Sequence, residues 1–508
     1  MTLWRLEVLS PLHIGTGRAI DASECIREPE SLAILDEGEA FAGLCRMGAE
    51  PALALAERRL SLGEALESAP GGASEALAGG GVRYRVGVPA SCAEIVASRR
   101  FSIHEAVKAA GREPLVPGTS LKGALRTTIL WDLVRRAASG DPPRGFDDFF
   151  EKARAYLLVV LSARRLARDL AERSAETNAW GAAPFAEYLA SEEFRLRHGF
   201  RVGPDEVGFV LEELRFPPEA TAAGRPGVER VREALEGIAS WGPSRIGQEL
   251  ARLAFGPTPT QDLLRGLRVT DSLEASLPSL PGGGEQPPPP SDRRHGFRVA
   301  KAAPAAPSPS WRIFAARIYS IAGVPARPIA KSASPDLYEC LPPGASFTIE
   351  VASILEDEDV DPAARAEWLR ESRCEGRLCL LEDIPGKCRA RSRSQIEDEI
   401  VCCERALAGT EYLAFHRRLL ERLESDDQSF LLRLGGKNGW NRNTVTSLLG
   451  DDVVAALRAH FRLGKFEEGT DAEGRSFVRA IDPFPKTRHV VVEEDRPMMP
   501  FGWVAVTV

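Results

Sequence analysis

The chain has 508 residues, of which 44% are hydrophobic and 27% are charged, and its formal net charge is −8 at pH 7. This length suits two or three domains with a sizeable core, and the composition is that of an ordinary globular protein. The acidic balance argues against indiscriminate coating of nucleic acid but leaves room for a local basic groove. No apolar run is long enough for a membrane span and the start lacks a signal-peptide pattern, so we expect a cytoplasmic protein with no membrane partner.

The chain begins with an alternating segment that predicts a strand over Leu3–Leu9, followed by a glycine-rich turn over His13–Gly17. The turn does not match GxGxxG, and no GxxxxGK[ST] loop occurs, so we expect no dinucleotide or nucleotide cofactor. Glycines at this point let the backbone approach another strand or a ligand closely. His13 is a candidate general base, and a packed or hydrogen-bonded histidine is the alternative interpretation.

Helical patterns follow from about Glu37 to Glu67, and Val82–Val88 predicts a strand. The next segment, Pro114–Leu130, reads PLVPGTSLKGALRTTIL. It predicts a Pro-Gly turn, a helix cap at Thr119/Ser120 and a long amphipathic helix.

Two faces of this helix follow from its spacing. Leu121, Leu125 and Ile129 form a stripe that we expect to be buried, whereas Lys122 and Arg126 share a second face. A lysine in the first turn opposes the helix dipole, which favours anions there. The free N–H groups and Lys122 would together hold a phosphate, and the alternative is a solvated basic face.

The rest of the chain continues to interleave strands and helices, which predicts an α+β fold. We predict helices over Phe149–Arg173, Pro362–Glu371 and Gln395–Glu424, and strands over Gly266–Ser272, Trp311–Ile321, Phe347–Ile354, Phe430–Leu434, His489–Val492 and Trp503–Val508. Between Leu277 and Ser310 the chain is rich in Pro, Gly and Ala, which is typical of a linker or a disordered loop.

Two short turns near the C-terminus carry basic residues. The turn after Leu434 contains Lys437 and Asn438, and its N–H groups suit a phosphate backbone. Pro485–Arg488 is the second basic turn. Read alone, each is a loop with ordinary surface charge.

Recognised catalytic and metal motifs are missing from the sequence. There is no HExxH or GxSxG pattern, and the seven histidines are dispersed, so neither metal catalysis nor an activated serine is supported. The nine cysteines form no regular framework. Five of them cluster without a CxxC, which leaves a zinc site open against scattered buried thiols: Cys374, Cys379, Cys388, Cys402 and Cys403.

Six short motifs occur in order along the whole chain. They are PLHIGTG, VPGTSLKGALRT, LRVTDS, LRLGGKNGW, FPKTRHVVV and the final FGWVAV. Together they resemble the RAMP superfamily of CRISPR–Cas systems and, within it, the Csm-type subunit that caps the crRNA 3′ end in type III-A effector complexes.

The resemblance implies two ferredoxin-like (RRM-like, RAMP) domains with helical insertions. We expect an N-terminal domain over residues 1–275, a linker or disordered loop over 276–310 and a C-terminal domain over 311–508. The implied role is a non-catalytic crRNA-binding subunit in crRNA maturation and in antiviral defence against invading RNA or DNA. The implied partners are the crRNA 3′ region, target RNA indirectly, the repeating RAMP backbone subunit, the small subunit and host nucleases that trim the 3′ end. No cofactor or metal is expected.

Carried over residue by residue, the family motifs map to glycine-rich turns and short basic segments. The implied RNA-binding residues are His13, Gly15, Gly17, Thr119, Ser120, Lys122, Arg126, Arg268, Ser272, Gly435, Lys437, Asn438, Lys486 and Arg488. The motifs also include Gly118, Gly123, Asp271, Gly436, Gly439, Pro485 and Thr487. Contacts of this kind follow an RNA backbone without reading its sequence.

The chain also departs from the family pattern. It is longer than we expect of such a subunit, with the excess at residues 174–260 and 277–310, and Gly436-Lys437 stands where an aromatic or small residue is common. A RAMP endoribonuclease that processes crRNA precursors, with His13 or His104 as general base, is a competing hypothesis. The end subunit of a type III-B or III-D complex is a second one, and a protein-only adaptor that docks nucleases is a third.

Overall fold

Strands and helices alternate along the whole computed structural model. It describes residues 2–47, 49–57, 60–69, 81–98, 100–174, 182–215, 225–277, 310–329, 335–354, 361–372, 374–437, 445–470, 476–481 and 484–508. The strands are β1 (Thr2–Val8), β2 (Gly15–Asp21), β3 (Cys25–Arg27), β4 (Ser31–Leu35), β5 (Val82–Gly87), β6 (Ser102–Ala106), β7 (Leu267–Val269), β8 (Glu274–Ser276), β9 (Trp311–Ser320), β10 (Arg327–Pro328), β11 (Asp336–Cys340), β12 (Ser346–Ser353), β13 (Ser429–Arg433), β14 (Lys465–Thr470), β15 (Ser476–Ile481), β16 (Thr487–Glu493), β17 (Arg496–Met499) and β18 (Trp503–Thr507).

The helices fall into a small N-terminal group, a long central insertion and a C-terminal group. They are α1 (Glu37–Met47), α2 (Ala49–Ala56), α3 (Leu62–Ser68), α4 (Ala90–Ala97), α5 (Gly118–Ala138), α6 (Phe149–Ser174), α7 (Ala182–Ala190), α8 (Glu192–His198), α9 (Pro204–Leu214), α10 (Arg225–Ala239), α11 (Pro243–Phe255), α12 (Pro362–Ser372), α13 (Ile384–Cys403), α14 (Glu411–Ser425) and α15 (Asp451–Phe461).

Two large sheets organise these elements, and β14 and β15 form a separate two-stranded sheet. Sheet A has the order β13-β18-β1-β12-β7, with β8 also paired to β12. Sheet B has the order β2-β6-β11-β9-β5-β4-β3, with β10 and β16 also paired to β9 and β17 paired to β16. The result confirms the predicted α+β class with helical insertions, which α6 to α11 supply.

Alternation along β1 explains how sheet A meets the helices. Trp4, Leu6 and Val8 are buried, whereas Leu3 before them and Arg5 between Trp4 and Leu6 are exposed. The buried side belongs to the same core cluster as the helix stripe Leu121, Leu125 and Ile129 of α5, which is fully buried as predicted. Burial of each such side chain contributes about 2 kcal/mol relative to leaving it in water.

The predicted domain boundaries do not separate the sheets. β1 pairs with β12 on one side and β18 on the other, so sheet A joins both ends of the chain. Sheet B likewise combines strands from before residue 276 and after residue 310. The division at 275 and 311 therefore stays a prediction, and residues 278–309 of the proposed linker lie outside the described residues.

Three predicted elements differ from the structure. The helix expected over Gln395–Glu424 is two helices, α13 and α14, because the chain turns between them at Gly409, whose φ is +71°. The glycine-rich turn leads directly into strand β2, which contains a bulge where Gly17 has a φ of +87°. Finally, Thr119 and Ser120 lie inside the first turn of α5 and do not cap it, since its N-cap position is Pro117.

The described part of the chain has neither a helix that could span a membrane nor a cluster of metal-ligating side chains. None of the helices there is long and apolar enough to span a bilayer. The described residues also contain no cluster of His, Cys, Asp and Glu that could hold a metal ion, which leaves the five clustered cysteines as separate thiols.

Candidate nucleic-acid interface

A cavity of about 670 Å³ lies where four segments of the chain meet. They are the residues around β2, the start of α5, the middle of α13 and the end of β13 with the turn that follows it. Seven of the predicted RNA-binding residues line this cavity together: His13, Gly15, Gly17, Thr119, Ser120, Gly435 and Lys437. Motifs from both ends of the chain therefore form one site.

His13 joins the two glycine-rich motifs. Its Nδ1 donates to the backbone oxygen of Glu339 at 2.8 Å, because a carbonyl can only accept, and this leaves Nε2 as the acceptor. A Cβ on Gly15 would lie 2.7 Å from that Nε2, so only glycine fits against the ring. Burial lowers the pKa of His13 to about 4, so the ring is neutral at pH 7.

The second glycine motif packs on the backbone of the same histidine. Gly436 donates its N–H to the His13 oxygen at 2.9 Å. A Cβ on Gly435 would lie 2.2 Å from that oxygen, and the φ of Gly435 is +76°. This position therefore requires glycine for two reasons, the close contact and the left-handed backbone conformation. The glycines thus set the close approach of the two motifs, and this approach forms one end of the cavity.

The start of α5 is held by the LRVTDS segment. Asp271 accepts from the Gly118 N–H at 2.8 Å, and the Ser272 hydroxyl accepts from the Val116 N–H at 3.0 Å. A Cβ on Gly118 would lie 2.4 Å from the Thr270 oxygen. Asp271 supplies the capping acceptor that the sequence predicts at Thr119/Ser120, and those two side chains are left to line the cavity.

Lys122 and Arg126 lie outside the set of cavity-lining residues. Arg126 pairs with Asp262 at 2.5 Å and its guanidinium lies over the Phe255 ring. Partial burial lowers the pKa of Lys122, and the nearby Asp262 opposes that shift. These two residues therefore face an acidic neighbour on the other side of the helix, and their contact with RNA stays a prediction.

The remaining predicted residues are not brought to the cavity. Arg268 is exposed on β7, Ser272 is engaged with Val116, and Lys486 is partly buried in the turn before β16. Arg488 is buried and pairs with Glu399 at 2.6 Å. Asn438, together with the motif position Gly439, lies outside the described residues.

The cavity contains cations that the sequence motifs did not indicate. Arg18, Arg391 and Arg433 line it together with Lys437, and Glu105 is the one carboxylate among its described lining residues. Arg18 also pairs with Glu24, outside the lining, at 2.9 Å. Arg391 donates to the Thr128 hydroxyl at 3.0 Å, and burial lowers its pKa to about 10. Its position escaped prediction because the helix that carries it begins at Ile384, eleven residues before the expected start at Gln395.

A group of aromatic rings lies beside these cations. His104 stacks on Tyr338 with ring centroids 4.6 Å apart and an angle of 13° between the rings. The Tyr338 hydroxyl and His489 Nε2 are 3.3 Å apart, and Lys437 lies 5.4 Å from the Tyr338 ring centre. The cavity thus offers glycine-lined backbone, cations and a flat ring, which are the groups that bind phosphates and bases.

Comparison with known proteins identifies the family. The sequence model of the RAMP superfamily matches residues 5–440. The chain belongs to the RAMP superfamily. The matched range contains every segment that lines the cavity, from β2 to the turn at Lys437.

Two solved structures resemble this RAMP protein along its whole length. One is a chain of a Csm–crRNA–target RNA ternary complex of a type III-A CRISPR–Cas system, with a TM-score of 0.51 and 18% identity, covering 100% of both chains. The other is Csm5 of T. onnurineus, with a TM-score of 0.46 and 17% identity, covering 98% of this chain and 99% of that one. No curated protein matched the sequence. At 18% identity, the likeness to the chain of the ternary complex shows a shared fold.

Proposed function

We propose that this RAMP protein is a crRNA-binding subunit of a type III-A (Csm) effector complex, at the end that caps the crRNA 3′ region. The observation that carries the proposal is the cavity formed by motifs from distant parts of the chain. Its described lining has four cations and one carboxylate, and one of the cations, Arg18, is paired with Glu24 outside the lining. Such a site binds an RNA backbone despite the net charge of −8, because binding follows the local charge.

The fold likeness supports the assignment to a Csm-type assembly. The similar chain comes from a complex that contains crRNA and target RNA, and the similarity covers the whole of both chains. By analogy, the partners of this protein are crRNA, the repeating RAMP backbone subunit and the small subunit, in the cytoplasm. The proposed role is to hold RNA without cutting it, with host nucleases trimming the 3′ end.

Crosslinking in a reconstituted complex tests this role. The chain is co-expressed with the other complex subunits and a crRNA that carries 4-thiouridine near either its 3′ or its 5′ end. We expect the chain to crosslink only to the 3′ probe, and Lys437→Gln to weaken that crosslink several-fold. Lys152→Gln is the matched control, since Lys152 is a surface lysine paired with Asp148 away from the cavity. A crosslink to the 5′ probe, or none, contradicts the proposal.

The enzyme alternative has one structural observation in its favour. The rings of His13 and His104 lie 6.4 Å apart at the cavity, and burial lowers the pKa of both. Neutral histidines are competent general bases at pH 7, and Lys437 is a candidate acid nearby. The buried hydrogen bond from His13 to Glu339 argues instead for a positioning role.

A cleavage assay in EDTA separates the two functions. A metal-independent endoribonuclease would cut a repeat RNA to leave 2′,3′-cyclic phosphate ends, and a His13→Ala/His104→Ala variant would lose that activity. If the wild-type protein leaves the RNA intact, the enzyme alternative is excluded under those conditions.

A further inference from the structure

Three neighbouring strands of sheet B place one side chain each in a row beside the cavity. Tyr338 of β11 pairs with His104 of β6, which in turn pairs with Ala19 of β2. Directly paired residues project from the same face of a sheet, and neighbouring strands are about 4.8 Å apart. The row therefore runs from a tyrosine through a histidine to a methyl group on the edge strand.

The first two members of this row form a fixed stack. Tyr338 is fully buried, and its hydroxyl is engaged with His489. His104 lies nearly parallel to the tyrosine ring at 4.6 Å, is only partly buried and lines the cavity. The histidine ring is thus held as a flat surface at the cavity wall.

The third position in the row is occupied by a small residue. Ala19 is exposed and contributes only a methyl group, next to the bulge at Gly17. Within the described part of the chain, β2 is the outermost strand on this side of sheet B. Because the strand spacing is close to the distance between stacked rings, a flat ring placed over Ala19 would continue the stack on His104.

We infer that an unpaired RNA base binds over Ala19 and stacks on His104 as the third ring of the stack. This inference rests on the proposed RNA-binding function and adds the chemical group that the cavity accepts beside the phosphates. Arg18 and Lys437 line the same cavity and would contact the phosphates on either side of that base. RNA-binding proteins commonly bind splayed-out bases on aromatic side chains, including histidine, and every base has the required flat face.

Substitutions of His104 separate stacking by its ring from other roles of the histidine. The probe is a single-stranded RNA with 2-aminopurine at successive positions, bound to the purified full-length chain. We expect fluorescence quenching at one position and about ten-fold weaker binding of His104→Ala, the size typical of losing one base–aromatic stack. His104→Phe should restore both quenching and affinity, because it keeps the ring but cannot titrate or accept a proton.

Ala19→Leu tests the same contact without changing the histidine. A leucine there fills the space beside the ring, so quenching should be lost and binding weakened by a similar factor. Ala275→Leu is the matched control, an exposed alanine on β8 that should bind as wild type does. Circular dichroism of each variant confirms that it is folded.

The possible outcomes separate this inference from the function on which it rests. If wild type binds RNA but quenching persists in both His104→Ala and Ala19→Leu, the stacking inference is wrong and RNA binding stands. Failure of His104→Phe to restore the contact also overturns stacking, since it would point to a role for the ring nitrogens. If wild type binds no RNA at all, the proposed function fails, and the inference fails with it.

Discussion

Helix α5 has one face of small and hydroxyl-bearing residues and another of basic residues, and only the first lines the cavity. One face carries Thr119, Ser120 and Gly123, which line the cavity. The other carries Lys122 and Arg126, which face Asp262. The sequence predicts phosphate binding on the cationic face, whereas in the structure the uncharged face lines the cavity.

The difference has a physical cause. An arginine that pairs with a carboxylate at 2.5 Å has much of its charge neutralised locally, so it attracts a phosphate weakly. At the start of α5 the N–H groups of Gly118, Ser120 and Leu121 are already accepted by Asp271 and by the Pro117 oxygen. What this face offers the cavity is small and hydroxyl-bearing side chains, which let a ligand approach closely. The cavity cations come from other elements, including Arg391 and Arg433.

The largest expected effect comes from the glycine that positions both faces. Gly118→Ala places a methyl 2.4 Å from the Thr270 oxygen and 2.5 Å from the Val269 oxygen, so the helix start must move. We expect a loss of about 3 kcal/mol in the free energy of unfolding. Gly123→Ala is the control on the same helix, since its methyl meets nothing within 4 Å and alanine should add about 1 kcal/mol to the free energy of unfolding. Urea denaturation measures both, and equal stabilities would contradict the role of Gly118.

The next largest effect is on RNA affinity and compares the two faces directly. Lys437→Gln removes one charge from the cavity, and we expect about ten-fold weaker binding of single-stranded RNA. The slope of log affinity against log salt concentration should become shallower by about 0.7 for each phosphate that the variant no longer neutralises. Lys122→Gln/Arg126→Gln on the other face should change affinity less than about two-fold, because both residues lie outside the cavity lining, Arg126 is paired with Asp262 and Lys122 lies near the same carboxylate. If the outer pair has the larger effect, RNA follows the basic face and the cavity is not the main binding surface.

Much of the secondary structure could be predicted from the sequence, because the spacing of hydrophobic residues within one helix or strand indicates which of its side chains are buried. The stripe on α5 and the alternation in β1 both correspond to buried positions. The sheet order did not follow, because pairing of Leu6 with Phe347 and Val506 depends on contacts between distant segments. In the site, the glycine motifs could be recognised in the sequence itself. Arg391 could not, because nothing in the local sequence separates an arginine that lines a cavity from one on a solvent-exposed helix face.

The cap of α5 gives a smaller effect on stability. Asp271 accepts the Gly118 N–H from a neighbouring segment, and Asp271→Ala should cost about 1 kcal/mol, the usual worth of a helix cap. Asp271→Asn keeps an acceptor oxygen and should lose only a few tenths of that amount. Thermal denaturation of both variants measures the difference. Equal losses would mean that the charge of Asp271, and not its hydrogen bond, stabilises the helix start.

The smallest effect compares the pH dependence of a cavity residue, His13, with that of Lys122 on the outer face of α5. Burial lowers the pKa of His13 to about 4, below the value near 6.5 of an unfolded chain, so the unfolded state binds the proton first as pH falls. The stability that neutral His13 contributes is present above about pH 6.5 and is lost progressively as pH falls toward 4. Between pH 7 and pH 6 this loss is about 0.7 kcal/mol, and His13→Asn should remove it while keeping a donor for the Glu339 oxygen. Lys122→Gln on the outer face should leave the pH dependence unchanged, because lysine keeps its charge in this range. Urea denaturation at the two pH values tests the contrast, and an unaltered pH dependence in His13→Asn would show that this histidine does not titrate with folding.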